Sequence, residues 1–302
     1  MQIIMWKKPW SMREGFAIGA SIIIAGILLQ LAIGPIDWNL CRWPVNIALL
    51  AAFILAIVTV HSTRDSLYAS RFLATPKAAV PALACALGLT VVMGFTRQSP
   101  DDTWLHSMLT FWPFVLTYVY MTLIVGLVAM NQISRIVSRH ATRATYTSLV
   151  SHIGLFIALT AATLGNGDMK RMKMITAVSE KEWQDIDDNH AVTELPIAIE
   201  LERFIMEKYD DGSPKRFASD IHITTRSGKD LRTTVDVNKP AEVEGWKIYQ
   251  YSYDTEAGEK SQISIFEIVS DPWLPAVYTG IYMMIAGAVL MFISGVRKRN
   301  NN

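Results

Sequence analysis

The chain has 302 residues, of which 51% are hydrophobic and only 18% charged, whereas soluble domains carry about 25% charged residues. Its net charge of +1 hides an asymmetry, because residues 166–272 hold 14 Lys/Arg and 22 Asp/Glu and the rest of the chain holds 14 and 5. This composition disfavours an ordinary soluble enzyme, and it argues against nucleic-acid binding, which needs a basic face. The sequence predicts an integral membrane protein.

Apolar runs recur along the chain, and they are long enough to cross a hydrocarbon core of ~30 Å as helices. Six spans are predicted, at residues 15–34, 45–61, 78–95, 107–130, 146–165 and 273–295. The first span resembles the apolar part of a signal peptide, but it is longer and more spans follow, so we interpret it as a retained helix. Tryptophans near the span ends suit the lipid headgroup level: Trp10, Trp38, Trp43, Trp104, Trp112 and Trp273.

The distribution of cations predicts the orientation of these spans. If the N-terminus is cytoplasmic, the inner segments carry 12 Lys/Arg, while the short outer loops carry only Arg42 and Arg97. The inner cations are Lys7, Lys8, Arg13, Arg64, Arg71, Lys77, Arg135, Arg139, Arg143, Arg297, Lys298 and Arg299. By the positive-inside rule, both termini are predicted to be cytoplasmic and residues 166–272 to lie outside the cytoplasmic membrane.

The acidic segment before the last span is predicted to be a mainly β domain. Alternation of apolar and polar residues, with turn sequences between, indicates strands at 171–178, 194–204, 217–225, 231–237, 246–253 and 262–269. The acidic stretch 179–190 is predicted to be a short helix or a loop. A small antiparallel sandwich or barrel fits this size. The chain therefore divides into a four-helix membrane region (1–145), a histidine-bearing helix (146–165), the outer domain (166–272) and a last helix with a basic tail (273–302).

Motifs of soluble catalysis are absent from the sequence. There is no phosphate-binding glycine loop, HExxH, GxSxG, EF-hand loop or CxxCH motif. Cys41 and Cys85 cannot form a CxxC pair or a cysteine-rich metal site. We predict no catalytic residue.

Histidine is almost the only ionisable residue type within the predicted spans, where such groups are costly. His152 lies about six residues, or ~9 Å, from the inner end of the fifth span. One nitrogen of this imidazole can bind haem iron while the other is held by a hydrogen bond; alternatively, the ring only bonds a neighbouring helix or faces a water defect. His61, at the inner end of the second span, is a candidate for a second imidazole or an interfacial residue. The remaining histidines have weaker cases: His106, His140, His190 and His222.

Three stretches carry a resemblance to a known family: SHIGLFIALTAATLG (151–165), VNKPAEVEGWKIYQYSY (237–253) and SIFEIVSDPW (264–273). In this order they resemble the ResB-like family of system II cytochrome c biogenesis, over residues 147–295. The resemblance implies a subunit, not catalytic alone, that carries haem b in transit for attachment to apocytochrome c. It also implies a ResC/CcsA-like multispan partner, and it places His152 at the family's transmembrane histidine. This sequence has four predicted spans before the His152 helix, which is more than is common in that family.

Three arginines precede the His152 helix at intervals of four residues: Arg135, Arg139 and Arg143. They would share one helical face, and they either meet the haem propionates or serve only as topogenic charge. The acidic outer domain could dock the partner or a lysine-rich cytochrome. Two other classes remain open: a haem b redox anchor with His61 and His152 as ligands, and a membrane scaffold or sensor with incidental histidines.

Overall fold

The computed structural model describes residues 6–96, 107–187 and 192–299. Its helices are α1 (Met12–Ile33), α2 (Val45–Ser62), α3 (Tyr68–Leu73), α4 (Pro76–Phe95), α5 (Trp112–Val137), α6 (Arg143–Leu164) and α7 (Leu274–Arg299). Its strands are β1 (Lys170–Ala177), β2 (Lys181–Asp187), β3 (Val192–Lys208), β4 (Pro214–Thr225), β5 (Asp230–Asp236), β6 (Ala241–Val243), β7 (Trp246–Tyr253) and β8 (Ile263–Ser270). The chain separates into two compact units, a membrane unit (Met1–Asp168 with Trp273–Asn302) and a β unit (Met169–Pro272).

Six helices, all except α3, are long and apolar enough to cross a membrane, which confirms the six predicted spans and makes the chain a multi-pass membrane protein. The fourth span differs most from its prediction, because α5 begins at Trp112 and continues to Val137. Pro113 lies in its first turn, where proline is favoured, and residues 108–110 before it form a short 3₁₀ helix. The short helix α3 was not predicted. His106, Trp104 and Arg97 lie outside the described residues.

The membrane unit is organised around α5, which packs against α1, α2, α4 and α6. Contacts of the glycines show which helix ends lie together: Gly15 near the start of α1 meets the start of α4, and Gly26 meets Pro113 at the start of α5. We call the end where α1, α4 and α6 begin the basic end. Leucines on α1 such as Leu28 and Leu31 are more than 60% exposed, as lipid-facing side chains are.

Helices α6 and α7 form the most extensive helix pair, and small residues allow their close approach. A Cβ atom added at Gly154 would lie 2.6 Å from the carbonyl oxygen of Gly280, and one added at Gly280 would lie 2.5 Å from that of Gly154. At the other end of this pair, Gly165 leaves room for the side chain of Trp273. Gly154, Gly165 and Gly280 are therefore packing residues.

The β unit is one antiparallel sheet of eight strands in the order β5-β4-β3-β2-β1-β8-β7-β6. The edge strand β5 also packs against β6 and β7, so the sheet is nearly closed around one core. This core contains fully buried side chains from most strands, among them Met174, Ile197, Ile223, Ile248 and Phe266. The predicted antiparallel β domain before the last helix is therefore confirmed.

Two strands of the β unit correct the prediction. In the stretch 179–190, for which a short helix or a loop is predicted, Lys181–Asp187 forms strand β2 between β1 and β3, and residues 188–190 lie outside the described residues. Its acidic sequence conceals the strand, since the fully buried Asp185 accepts a hydrogen bond from the Thr193 hydroxyl at 2.7 Å instead of facing solvent. The strand β6 has only three residues, too few for a recognisable alternation.

Candidate functional site

His152 lies on α6 and is half-buried, and its two ring nitrogens have different surroundings. Its Nδ1 is 2.7 Å from the carbonyl oxygen of Ser148, one turn earlier on the same helix. A carbonyl only accepts, so this contact holds the proton on Nδ1 and leaves the Nε2 lone pair free. Within the described residues Nε2 has no hydrogen-bond partner. The nearby Gln132 of α5 donates to the Ser148 hydroxyl at 2.7 Å, and its Nε2 lies 3.5 Å from the Nδ1 of His152.

This arrangement suits a metal ligand. Histidines that bind iron or zinc usually donate the second ring N–H to a backbone carbonyl or carboxylate, which fixes the tautomer and the orientation of the ring. The shortest contact of the ring is to a carbonyl of α6 itself, at 2.7 Å, while the side-chain nitrogen of Gln132 on the neighbouring helix α5 lies 3.5 Å from the same Nδ1. His152 can therefore present an unpaired nitrogen within the bilayer.

His61, the second candidate ligand, has its Nε2 engaged. The guanidinium Nη1 of Arg64 lies 3.0 Å from this nitrogen and donates to it. The two histidines also differ in depth. Phe53 of α2 stacks on Phe156 of α6 with ring planes 1° apart. His61 lies two turns from Phe53 towards the basic end, whereas His152 lies only one turn from Phe156, so their depths differ by about 6 Å.

A polar cavity of about 430 Å³ opens at the basic end between α2, α3 and α5; we call it the basic cavity. His61, Arg64, Arg71, Arg135 and His140 line it, together with seven other residues. Of the three arginines predicted to share a face, only Arg135 lines this cavity. Arg139 and Arg143 are exposed at the same end of the bundle, after α5 has ended. His152 is not among the lining residues.

A second cavity, of about 380 Å³, is almost entirely apolar and lies between α2, α5 and α6; we call it the apolar cavity. Phe53, Trp112, Leu116 and Leu159 are among its lining residues. It lies further from the basic end than His152, because Leu159 is two turns beyond that histidine on α6. Phe156, between them on α6, stacks on Phe53 of the cavity wall.

Asp168 joins three parts of the membrane unit, and no sequence pattern indicates it. Its Oδ1 accepts from the backbone N–H of Trp43 at 2.8 Å, and its Oδ2 accepts from the Asn46 amide and the Trp273 indole, both at 2.7 Å. Although partial burial opposes ionisation, these hydrogen bonds and the charge of Arg42 hold the pKa of Asp168 below its ordinary value. The carboxylate thereby ties the start of α2 to the end of α6 and the start of α7.

The other histidines have no comparable geometry. His140 is exposed at the mouth of the basic cavity. His222 lies in the β unit between two carboxylates, with Asp230 bonded to Nε2 and Glu200 3.5 Å from Nδ1. His190 lies outside the described residues. No group of three or more His, Cys, Asp or Glu that could hold a metal ion occurs within the parts of the chain that the structure describes.

The architecture defines a multi-pass membrane protein with an antiparallel β domain between its last two spans. Residues 141–265 match the model of the ResB-like family, which confirms the resemblance predicted from the sequence. The matched segment begins just before α6, includes His152, and ends within β8.

Two curated relatives carry the name cytochrome c biogenesis protein CcsB. The protein from Prochlorococcus marinus is 27% identical over 119 residues, which is 39% of this chain and 27% of that protein. The protein from Gloeobacter violaceus is 27% identical over 109 residues, which is 35% of this chain and 23% of that protein. The matched segment therefore spans about a quarter of the length of these relatives. A solved structure of the cytochrome c haem lyase CcmF aligns with 93% of this chain and 46% of its own, at a TM-score of 0.39 and 12% identity.

Proposed function

We propose that this chain takes part in cytochrome c biogenesis as a haem-handling membrane subunit. In this role it carries haem b across the cytoplasmic membrane and presents it for covalent attachment to apocytochrome c. The match of residues 141–265 to the ResB-like family and to two CcsB proteins supports the biogenesis role. The distribution of cations supports cytoplasmic termini and an extracytoplasmic β unit.

The observation that carries the haem-handling role is the geometry of His152. Its Nδ1–H is fixed by the Ser148 carbonyl, and its Nε2 has no partner in the described residues. Haem in transit would supply an iron with an open axial position, which a neutral imidazole nitrogen fills. The ring lies within the segment that matches the family. His152 is therefore the residue of this chain that we assign to the haem iron.

The apolar cavity supports a path for haem from His152 towards the opposite end of the bundle. Porphyrin is a flat apolar disc, and cavities lined by aliphatic and aromatic side chains hold such groups. Phe156 lies one turn after His152 and stacks on Phe53, which lines that cavity. Apolar side chains thus follow His152 along α6 as far as the cavity.

We also propose a ResC/CcsA-like multispan membrane protein as the partner, which the resemblance to the ResB-like family implies. The acidic β unit offers a complement for a lysine-rich apocytochrome or for the partner. That Arg135, Arg139 and Arg143 meet the haem propionates stays a prediction.

A haem b redox anchor with two histidine ligands is less well supported. Such a centre needs His61 and His152 on one iron, yet the Nε2 of His61 accepts a hydrogen bond from Arg64. The difference of about 6 Å in depth between the two rings also disfavours it.

The experiment is a haem absorbance spectrum of the full chain, purified with its partner. We expect a Soret band in the wild type, its loss in His152→Ala, and its return when imidazole is added. His61→Ala is the matched control, and we expect it to retain haem. A spectrum unchanged by His152→Ala, or a deletion strain with normal covalent haem on its c-type cytochromes, would contradict the proposal.

A further inference from the structure

The basic cavity concentrates positive charge without matching negative charge. Arg64, Arg71 and Arg135 line it, and Asp65 is the one carboxylate among its lining residues. Within the described residues, none of these three arginines has a carboxylate oxygen within 4.0 Å, whereas arginines of the β unit are paired in that way. A concave site with unpaired guanidinium groups attracts an anion.

The guanidinium of Arg64 is held in a defined position. Its Nη1 donates to the Asn131 side-chain oxygen at 2.9 Å and to His61, and its Nη2 lies 3.3 Å from the Ser134 hydroxyl. Arg71 follows on α3, and its Nε donates to the Arg64 carbonyl at 3.4 Å. Arg64, in the turn after α2, and Arg71, in α3, are therefore linked to each other at one wall of the cavity. A guanidinium held in this way is well suited to the oxygens of a phosphate.

The lining of the basic cavity does not suit a porphyrin. Ten of its twelve lining residues are polar or charged, Leu127 and Ala74 being the others, so a flat apolar ring would find less apolar surface here than in the apolar cavity. A phosphate needs only polar and cationic groups. The cavity also lies where the membrane-spanning helices α2 and α5 end, and basic pockets between such helices bind anionic lipid headgroups.

We infer that the basic cavity binds the phosphate of an anionic phospholipid, with Arg64 and Arg71 as its principal ligands. The site is separate from His152, which does not line the cavity, and the inference does not rest on the proposed function. Bound lipid would fix the α2–α3 turn against α5.

The test is lipid binding by the purified, delipidated full chain in detergent. Isothermal titration with dioctanoyl phosphatidylglycerol is compared with dioctanoyl phosphatidylcholine, which is neutral overall. We expect tighter binding of phosphatidylglycerol, and binding weakened at least about tenfold by Arg64→Gln and by Arg71→Gln, which corresponds to about 1.4 kcal/mol each. Inorganic phosphate should compete. Arg139→Gln and Arg143→Gln remove the same charge at the same end outside the cavity, and they should bind within about twofold of the wild type.

Several results would overturn the inference. Equal binding of the two lipids would do so, as would a loss in the control variants as large as in the cavity variants, because either result indicates general surface charge. Binding of inorganic phosphate without phosphatidylglycerol, or displacement of the lipid by one equivalent of haem, would refute the lipid assignment. If Arg64→Gln fails to fold, Arg71→Gln decides the matter, since the exposed Arg71 donates one described hydrogen bond.

Discussion

The close packing of α6 on α7 predicts a specific cost for adding one methyl group at Gly154. In Gly154→Ala the new Cβ would lie 2.6 Å from the Gly280 oxygen, 2.7 Å from the Met284 nitrogen and 2.8 Å from the Met283 Cβ. Ordinary contacts begin at about 3.4 Å, so α7 must move away by about 0.8 Å. Overpacking of this kind lowers the free energy of unfolding by about 1–3 kcal/mol, and the higher helix propensity of alanine offsets up to about 1 kcal/mol of this loss. We expect a net loss of about 1–2 kcal/mol.

The assay is unfolding of the full chain in mixed micelles with increasing dodecyl sulfate, followed by circular dichroism. Gly88→Ala in α4 is the matched control, because nothing lies within 4 Å of its new Cβ. That variant should be as stable as the wild type or slightly more stable. Gly280→Ala should cost as much as Gly154→Ala, since its Cβ would meet the Gly154 oxygen at 2.5 Å.

The double variant Gly154→Ala/Gly280→Ala sharpens this prediction. Once the first methyl group has separated the helices, the second meets less steric repulsion. The loss of stability in the double variant should therefore be smaller than the sum of the losses in the two single variants. A stability of Gly154→Ala equal to that of Gly88→Ala would refute the reasoning, as would strict additivity in the double variant.

Three further outcomes follow from single side chains. Asp168→Asn should lower stability near neutral pH, because its amide nitrogen would face an N–H donor at Trp43 or at Asn46 and Trp273. The folded-state pKa of Asp168 is lowered, so its stabilisation is present above the ordinary pKa of about 4 and is lost as the pH falls through the folded value. In unfolding measurements at decreasing pH, the difference between wild type and variant should shrink only below about pH 4, and a difference that already disappears between pH 7 and pH 5 would contradict this assignment. Phe266→Ala removes a fully buried ring from the β unit and should cost about 3–5 kcal/mol, seen as faster proteolysis of that unit, whereas an equal rate in the variant would contradict the assigned core. Leu159→Trp should fill the apolar cavity. We expect it to lower the amount of covalent haem on c-type cytochromes, while the purified protein keeps its Soret band. Unchanged levels of these cytochromes would count against the proposed haem path.

The membrane spans could be predicted well because one strong signal decides them. A run of about 20 apolar residues is too hydrophobic to stay exposed to water, so hydropathy alone identified the six helices of the described residues that are long enough to span a membrane. The strand Lys181–Asp187 could not be predicted, because Asp185 points inward and the period-two signal is lost. Its place in the sheet depends on pairing with β1 and β3, which the local sequence does not encode.

The candidate site was only partly accessible from the sequence. His152 stands out because an imidazole in an apolar span is rare. The basic cavity depends on the approach of α2 to α5, where Gly126 leaves room for Ile57, and this contact lies between residues far apart in the chain. Arg64 was counted only as an inner cation, because its contacts with His61 and Asn131 form in the turn after α2, where no helical spacing predicts them. The contacts of Asp168 join residues more than 100 positions apart and leave no local pattern.

The proposed haem and lipid sites both involve α5, through two consecutive residues that lie on different faces of that helix. Asn131 accepts a hydrogen bond from Arg64, and Gln132 contacts Ser148 beside His152. Consecutive side chains leave a helix about 100° apart, so the two sites occupy different faces of α5. Arg64→Gln therefore leaves every described contact of His152 in place, and His152→Ala leaves the basic cavity intact. A loss of haem binding and a loss of lipid binding can thus be told apart, and each proposal can fail without the other.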